Sequence, residues 1–204
     1  MSSRLDTLLD QIRQLEKKVS QEARKKEAEF CYKVHAGRVE FTTAVTAEHK
    51  KLRLSIHRYL TSSRLLVLLT GPFIWLCLIP LLFMDVIGSI YQALCFPIYG
   101  IPKVRRHEYV TFDRHRLAYL NFFEKLNCEY CAYANGILAY FTEIAARTEQ
   151  HFCPIKHAGC VKCAHSRYQN FVDFGDAQAF RQRGEEISHA YQDIQASEAD
   201  QKKE

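Results

Sequence analysis

A single apolar block most constrains how this chain of 204 residues can fold. From Leu65 to Ile101 the only charged residue is Asp85, whereas the sequence on both sides is densely charged. The first part of the block, LLVLLTGPFIWLCLIPLLFM (65–84), would be about 30 Å long as a helix, which matches the hydrocarbon core of a bilayer. The block therefore predicts a membrane-anchored protein with water-facing arms.

The second part of the block, VIGSIYQALCFPIYGIP (86–102), is shorter and is interrupted by glycine and proline. Basic residues flank the whole block: Arg58 and Arg64 before it, and Lys103, Arg105 and Arg106 after it. Because lysine and arginine are retained on the cytoplasmic side, we expect both ends to be cytoplasmic and the block to form a hairpin of two membrane helices. We expect the turn near Pro80–Asp85, with Asp85 marking it. The alternative is one true span, with 86–101 as an interfacial segment.

The predicted fold class is all-α, with the membrane hairpin (65–102) between two water-facing parts. Residues 1–64 are expected to form a basic arm of amphipathic helices, the second of them over 47–62. The apolar face of the first helix consists of Leu5, Leu8, Ile12, Leu15 and Val19. The β-prone run 36–46 predicts a loop or a short extended piece. A helical domain rich in cysteine and histidine follows over 103–195, and a disordered tail over 196–204.

Two helices are predicted in the C-terminal domain before its cysteine-rich loop. Asp113 is suited to act as the N-cap of the first, DRHRLAYLNFFEKLN. The second, NGILAYFTEIAARTEQHF, carries Glu143 and Arg147 at the i,i+4 spacing of an ion pair. After the cysteines, DFGD (173–176) predicts a turn and 177–195 a polar helix.

The N-terminus is polar and lacks the order of a secretory signal peptide. We therefore expect the eight cysteines to be reduced thiols or metal ligands rather than disulfides. The formal net charge of +5 suits an anionic membrane surface. Such a modest charge is not a nucleic-acid signature, so no nucleic-acid partner is expected.

Five of the eight cysteines fall within 36 residues, together with two histidines, and a third histidine, His165, follows directly. Thiolates and imidazoles at this density are typical ligands of zinc, and a Cys-x-x-Cys turn lets two sulfurs bind one ion. One candidate set is the four cysteines of the two Cys-x-x-Cys pairs, Cys128, Cys131, Cys160 and Cys163. The other is a Cys₃His set, Cys128, Cys131, Cys153 and His157. If residues 136–152 form one straight helix, its ends lie about 25 Å apart, and the second set cannot close within one chain.

The signature NCxYCxYxNG…RTEQ…CPIKHA, within a similarity over roughly residues 36–180, resembles a family of uncharacterised bacterial membrane-anchored proteins. The elements that recur in that family are the first Cys-x-x-Cys and the Cys-Pro-Ile-Lys-His, whereas Cys160 and Cys163 are local to this sequence. The resemblance implies that Cys128, Cys131, Cys153 and His157 carry the family's function. It implies no particular activity.

We therefore expect a membrane-anchored, metal-binding protein of the bacterial inner membrane, with cytoplasmic termini. Its metal would be structural zinc, and the protein would act as an accessory or interaction module of a membrane complex. Its N-terminal helices would dock a protein partner or a second copy. The alternative is a redox protein that uses iron, an iron–sulfur cluster or the Cys128/Cys131 dithiol. No Gly-rich phosphate loop, Ser-His-Asp order or His-Glu-x-x-His motif occurs, so no catalytic residue is assigned.

Overall fold

The computed structural model describes most of the chain from residue 65 onwards and the part before it less completely. Residues that it describes are 14–15, 18–19, 21–22, 24–26, 28–30, 32–35, 38–56, 58, 65–162 and 164–195. The chain divides into two compact units, Met1–Ser63 with Phe112–Glu129 and Arg64–Thr111 with Tyr130–Glu204. The described residues are mostly helical, which confirms the all-α class.

Six helices and one β-hairpin are named below. The strands are β1 (Tyr32–His35) and β2 (Arg38–Phe41), and the helices are α1 (Thr43–Lys51), α2 (Leu65–Leu76), α3 (Leu78–Tyr99), α4 (Arg106–Tyr109), α5 (Phe122–Phe152) and α6 (Ala177–Ser188). The described residues between 14 and 29 are also helical, whereas Leu5, Leu8 and Ile12 of the predicted amphipathic face lie outside the described residues. The predicted tail also lies outside them.

The first unit is organised by a small aromatic cluster. Strands β1 and β2 pair antiparallel, with Tyr32 opposite Phe41, so the extended piece expected in 36–46 is confirmed and belongs to a hairpin. His49 of α1 packs edge-on between Phe41 and Tyr119, at ring-centroid distances of 5.4 and 5.2 Å. The helix expected over 47–62 begins earlier, at Thr43, and α1 ends at Lys51.

The apolar block is helical from Leu65 to Tyr99, apart from a turn at Cys77, where the Cys77 N–H bonds the carbonyl of Ile74. One stretch of it, Leu69–Tyr99, is long and apolar enough to cross a membrane. The turn expected near Pro80–Asp85 is not found there, because these residues lie inside α3, and the membrane hairpin is not confirmed. Pro80 is the third residue of α3, where a missing N–H leaves no helical hydrogen bond unmade.

Helix α5 is one continuous helix where two were expected. Asp113 does not cap it: residues 114–116 form a 3-10 turn, and the Asp113 side chain makes no cap hydrogen bond. The real start is a reciprocal capping box, in which Asn121 Oδ1 accepts from the Glu124 N–H and the Glu124 carboxylate accepts from the Asn121 N–H. The helix then runs through Gly136 to Phe152 and contributes residues to both units.

The core of the second unit lies between α3, α5 and the segment that connects them. Its buried residues are Phe96, Ile101, Val104, Val110, Tyr133, Ile137, Tyr140, Ile144 and Tyr191. Gly136 of α5 allows the connecting segment to cross the helix closely, since a Cβ there would lie 2.6 Å from the carbonyl oxygen of Tyr109. The expected turn at 173–176 is confirmed, with Gly175 at φ +86°, and Asp176 caps α6 by accepting from the Ala179 N–H.

We expect Gly136→Ala to lower the free energy of unfolding by about 1–3 kcal/mol, the usual range for overpacking, because the new methyl group meets backbone atoms that cannot rotate away. Denaturant unfolding of the purified protein measures this. Gly71→Ala is the matched control, since its Cβ would have no neighbour within 4 Å. Equal stability of the two variants would contradict the close crossing.

Candidate functional site

The side of α3 that faces the rest of its unit carries three polar residues on an otherwise apolar helix. Asp85, Ser89 and Gln92 follow one another at steps of four and three residues, so they share one face. Each of them has hydrogen-bond partners outside α3. In the folded chain the apolar block therefore has two different faces, and its polar groups lie on the inner face.

Asp85 is the centre of this polar face. Its carboxylate forms a two-pronged ion pair with Arg106: Nε lies 2.9 Å from Oδ1 and Nη2 lies 2.7 Å from Oδ2. Tyr133 of α5 donates a third bond to Oδ2 at 2.9 Å. The Asp85 side chain is only 14% exposed, whereas that of Arg106 is 41% exposed, so the guanidinium joins a half-buried carboxylate to the surface. Asp85 thus connects α3, α4 and α5.

The electrostatics keep these partners in their bonding forms. The hydrogen bonds to Asp85 raise the pKa of Arg106, so its guanidinium stays charged. Burial raises the pKa of the Tyr133 hydroxyl, and its bond to Asp85 raises it further, so the hydroxyl stays a donor. A charged, doubly bonded pair of this kind has a fixed geometry as well as a favourable energy.

Gln92 extends the polar face toward the end of α3. Its side-chain amide bonds both backbone groups of Val104, donating to the carbonyl at 3.2 Å and accepting from the N–H at 2.9 Å. It also donates to the hydroxyl of Tyr140, which lies 3.4 Å from the hydroxyl of Ser89. Gln92 therefore bonds the backbone of the connecting segment as a neighbouring strand would. These bonds fix the position of Val104 along α3.

A second polar cluster holds the segment after α5 on that helix. Gln150 is fully buried and donates to the carbonyls of Ile187 and Ala190, while its own oxygen accepts from Arg167. Arg167 also pairs with Asp193 through both terminal nitrogens, at 3.0 and 2.9 Å.

The predicted Glu143–Arg147 pair is confirmed at 2.8 Å, and Arg147 also donates to the carbonyls of Pro102 and Lys103.

His165 and Glu149 resemble an acid–base pair, but both ring nitrogens of His165 already make hydrogen bonds within the fold. The backbone N–H of Arg167 donates to Nδ1 of His165, so the ring proton is on Nε2 and donates to Glu149 at 2.9 Å. Both ring nitrogens are therefore occupied. The carboxylate of Glu149, four residues before Cys153, is therefore bonded to His165.

Helix α5 separates the two groups of predicted metal ligands. Cys128 and Cys131 lie one turn apart on the helix, whereas Cys153 directly follows its C-terminal end. Cys153 follows Cys131 by 22 residues, which is about 33 Å along a helix axis. The structure therefore does not bring Cys131 together with Cys153 and His157 in one chain.

The remaining ligands lie in the loop after α5. Cys153, His157 and Cys160 are all exposed, Cys153 and Cys160 are free thiols, and Cys163 lies outside the described residues. The His157 ring stacks on Tyr168, and its backbone N–H donates to the Tyr168 hydroxyl. Among the residues that the structure describes, no three His, Cys, Asp or Glu side chains are grouped as metal ligands. Those residues as placed do not fit a three- or four-ligand site.

Comparison with known proteins suggests no function, so a proposal has to rest on the contacts described above. No family model, curated protein or solved structure matches the chain. The family resemblance carried by the first Cys-x-x-Cys and the Cys-Pro-Ile-Lys-His stays a prediction.

We expect Asp85 and Arg106 to be strongly coupled. In a double-mutant cycle of Asp85→Asn and Arg106→Gln, the coupling in unfolding free energy should be about 1–3 kcal/mol, because either single change leaves a charge half-buried and unpaired. Lys156→Gln and Asp173→Asn form the control cycle. That pair has a similar length of 2.8 Å but an Asp173 side chain that is 79% exposed, so its coupling should stay below about 1 kcal/mol. Equal couplings would show that the Asp85 pair does not organise the unit.

Proposed function

We propose that this chain is a membrane-associated accessory protein whose C-terminal helical domain is held on the apolar helix α2–α3. The observation that carries the proposal is the exposure of that helix. Only 6% of its most apolar window is buried inside the protein, so most of its apolar surface is not part of the core. A helix of this composition requires an apolar environment that the described residues of the chain do not supply.

The size of the apolar surface supports the same proposal. Twelve large apolar side chains are exposed between Leu69 and Ile98. Scattered exposed apolar residues are common, but a continuous surface of this length marks a membrane or partner contact. The bacterial inner membrane and cytoplasmic termini remain predictions.

The polar clusters support an accessory rather than a catalytic role. Asp85 accepts from Arg106, and Gln150 and Arg167 donate to backbone carbonyls. These bonds stabilise the arrangement of the helices. Docking of a protein partner or a second copy through the N-terminal helices is part of the proposal. Leu15 and Val19, the described residues of that predicted face, are 59% and 69% exposed.

Charges on the outer side of α3 should release the protein from membranes. We expect Phe83→Lys with Ile90→Lys to lower the vesicle-bound to free ratio at least about tenfold, the change that about 1.4 kcal/mol of lost binding produces. Co-flotation with vesicles of phosphatidylcholine and phosphatidylglycerol measures the ratio. Gln178→Lys with Gln182→Lys adds the same charge at exposed polar positions of α6 and should leave the ratio unchanged. Equal release by both pairs would mean that overall charge controls binding, and would contradict the proposal.

Metal binding is a second proposal. It is supported by the density of cysteine and histidine in the sequence of the loop after α5, since no three of the described side chains are grouped as ligands. Cys153, His157 and Cys160 share an eight-residue stretch with exposed thiols, and Cys163 follows three residues later. A closed set of four such ligands would hold structural zinc and stabilise the loop, whereas iron would give a redox centre. The length of α5 argues against Cys131 and Cys153 as ligands of one ion within one chain.

Elemental analysis of purified variants tests this placement. We expect Cys153→Ser and Cys163→Ser to lose the metal and Cys131→Ser to retain it, since only the first two changes remove loop ligands. Loss of metal from Cys131→Ser as well would favour ligands from two chains, and loss of metal from Cys153→Ser but not Cys163→Ser would favour the Cys₃His set. A visible absorption band would identify iron rather than zinc. The absence of stoichiometric metal, with thiols free, would exclude the metal and leave a dithiol or structural role.

A further inference from the structure

The two faces of α3 differ in polarity and in exposure. The inner face carries Asp85, Ser89 and Gln92, all hydrogen-bonded. The outer face is uncharged and exposed along its whole length, and it presents Ile79, Leu82, Phe83, Val86, Ile87, Ile90, Leu94 and Ile98. A helix with one polar and one apolar side is the kind that lies at a membrane surface, whereas a lone spanning helix is apolar all round.

Helix α5 covers the inner face over most of the length of α3. Successive contacts advance along both helices in the same direction, from Asp85–Tyr133 and Ser89–Tyr140 to Tyr91–Thr148. Near the end of α3 the Tyr99 ring stacks on the ring of His151. The two helices are therefore parallel neighbours, and α3 cannot cross a bilayer without carrying residues 133–151 with it.

The parts packed on α3 are charged at its mid-length. Asp85 lies 16 residues after Leu69 and 14 before Tyr99, so it marks the middle of the apolar helix, and Arg106 is bonded to it there. Arg147 is bonded to Glu143 and to the carbonyls of Pro102 and Lys103. It lies further along α5, next to Thr148, which contacts Tyr91 of α3. In a crossing of Leu69–Tyr99 centred on the bilayer these groups would lie in hydrocarbon, at a cost of about 2.5 kcal/mol or more for each charge.

We propose that the helix Leu69–Tyr99 lies in the plane of one membrane leaflet instead of crossing the bilayer. The outer face of α3 contacts acyl chains, and the segment 101–108 faces water at headgroup level. This inference rests on the membrane association proposed above. It also retains the expectation that the basic flanks on both ends of the block share one side of the membrane, without needing a turn inside the block.

The occupant of the outer face is a lipid surface on two grounds. The exposed apolar surface continues from α3 into α2, where Leu69, Phe73 and Leu76 are 60%, 71% and 60% exposed, so it is a long surface rather than a local groove. The segment that lies over the inner face is basic, with Lys103, Arg105, Arg106 and His107 against a single Glu108, which complements anionic headgroups. The exposed side chains of α3 would reach about 5–10 Å into the headgroup and acyl boundary.

The chain contains one tryptophan, Trp75, so the depth of the helix can be measured by fluorescence without labels. In a Trp75→Phe background, tryptophan is placed at one exposed outer position at a time: Phe73→Trp, Phe83→Trp and Ile98→Trp, with Ile90→Trp as a second mid-helix position. The native side chains at 73, 83 and 98 are 71%, 66% and 78% exposed, so the changes leave the core intact. The full chain is bound to phosphatidylcholine–phosphatidylglycerol vesicles whose lipids carry bromine near the headgroup or near the chain end. Vesicles without bromine are the control.

We expect all these positions to be quenched most by the shallow bromines and to a similar extent. Strongest quenching of Phe83→Trp and Ile90→Trp by the deep bromines, with shallow quenching of the two ends, would show a crossing helix. That result would overturn the inference but leave the membrane association standing. No quenching at any position would show that protein covers the face, and would overturn both.

Discussion

A carboxylate on an apolar helix has to be paired, and the pairing of Asp85 decides how the second unit is built. Arg106 reaches it from the segment after α3, and Tyr133 reaches it from α5. Because the pair is two-pronged, it specifies direction as well as distance. Together with the bonds of Gln92 to the backbone of Val104, it holds the chain that leaves Tyr99 along the inner face of α3.

The same pairing determines which way the apolar block faces. Asp85, Ser89 and Gln92 turn inward, so the outer face of α3 has no polar group of its own. Helix α5 then runs parallel to α3. The length of α5 also determines how far apart the cysteines lie. A rigid helix that begins before Cys128 and ends just before Cys153 keeps the two cysteine groups apart. The length of α5 therefore keeps Cys131 from sharing an ion with Cys153 within one chain.

Much of the helical organisation was predictable because it depends on local patterns. The apolar block and the Glu143–Arg147 pair follow from composition and from i,i+4 spacing, and both are confirmed. The start of α5 was wrongly assigned to Asp113, although Asn121 and Glu124 form a readable Asn-x-x-Glu capping box. Two helices were expected where one exists, because Gly136 reads as a break in sequence but serves a close backbone crossing in the fold.

Only part of the candidate site could be predicted from the sequence. The sequence by itself determined that the chain has a long apolar helix, that this helix contains one charge, and that thiols cluster after residue 127. Tertiary structure decided that Asp85 lies within the helix and bonds Arg106, and that Cys131 and Cys153 stand at separate points along α5. The physical reason is that spacing in sequence specifies neighbours only within a turn or two of helix. Which face of an element is covered, and by which distant side chain, depends on packing that no local pattern contains.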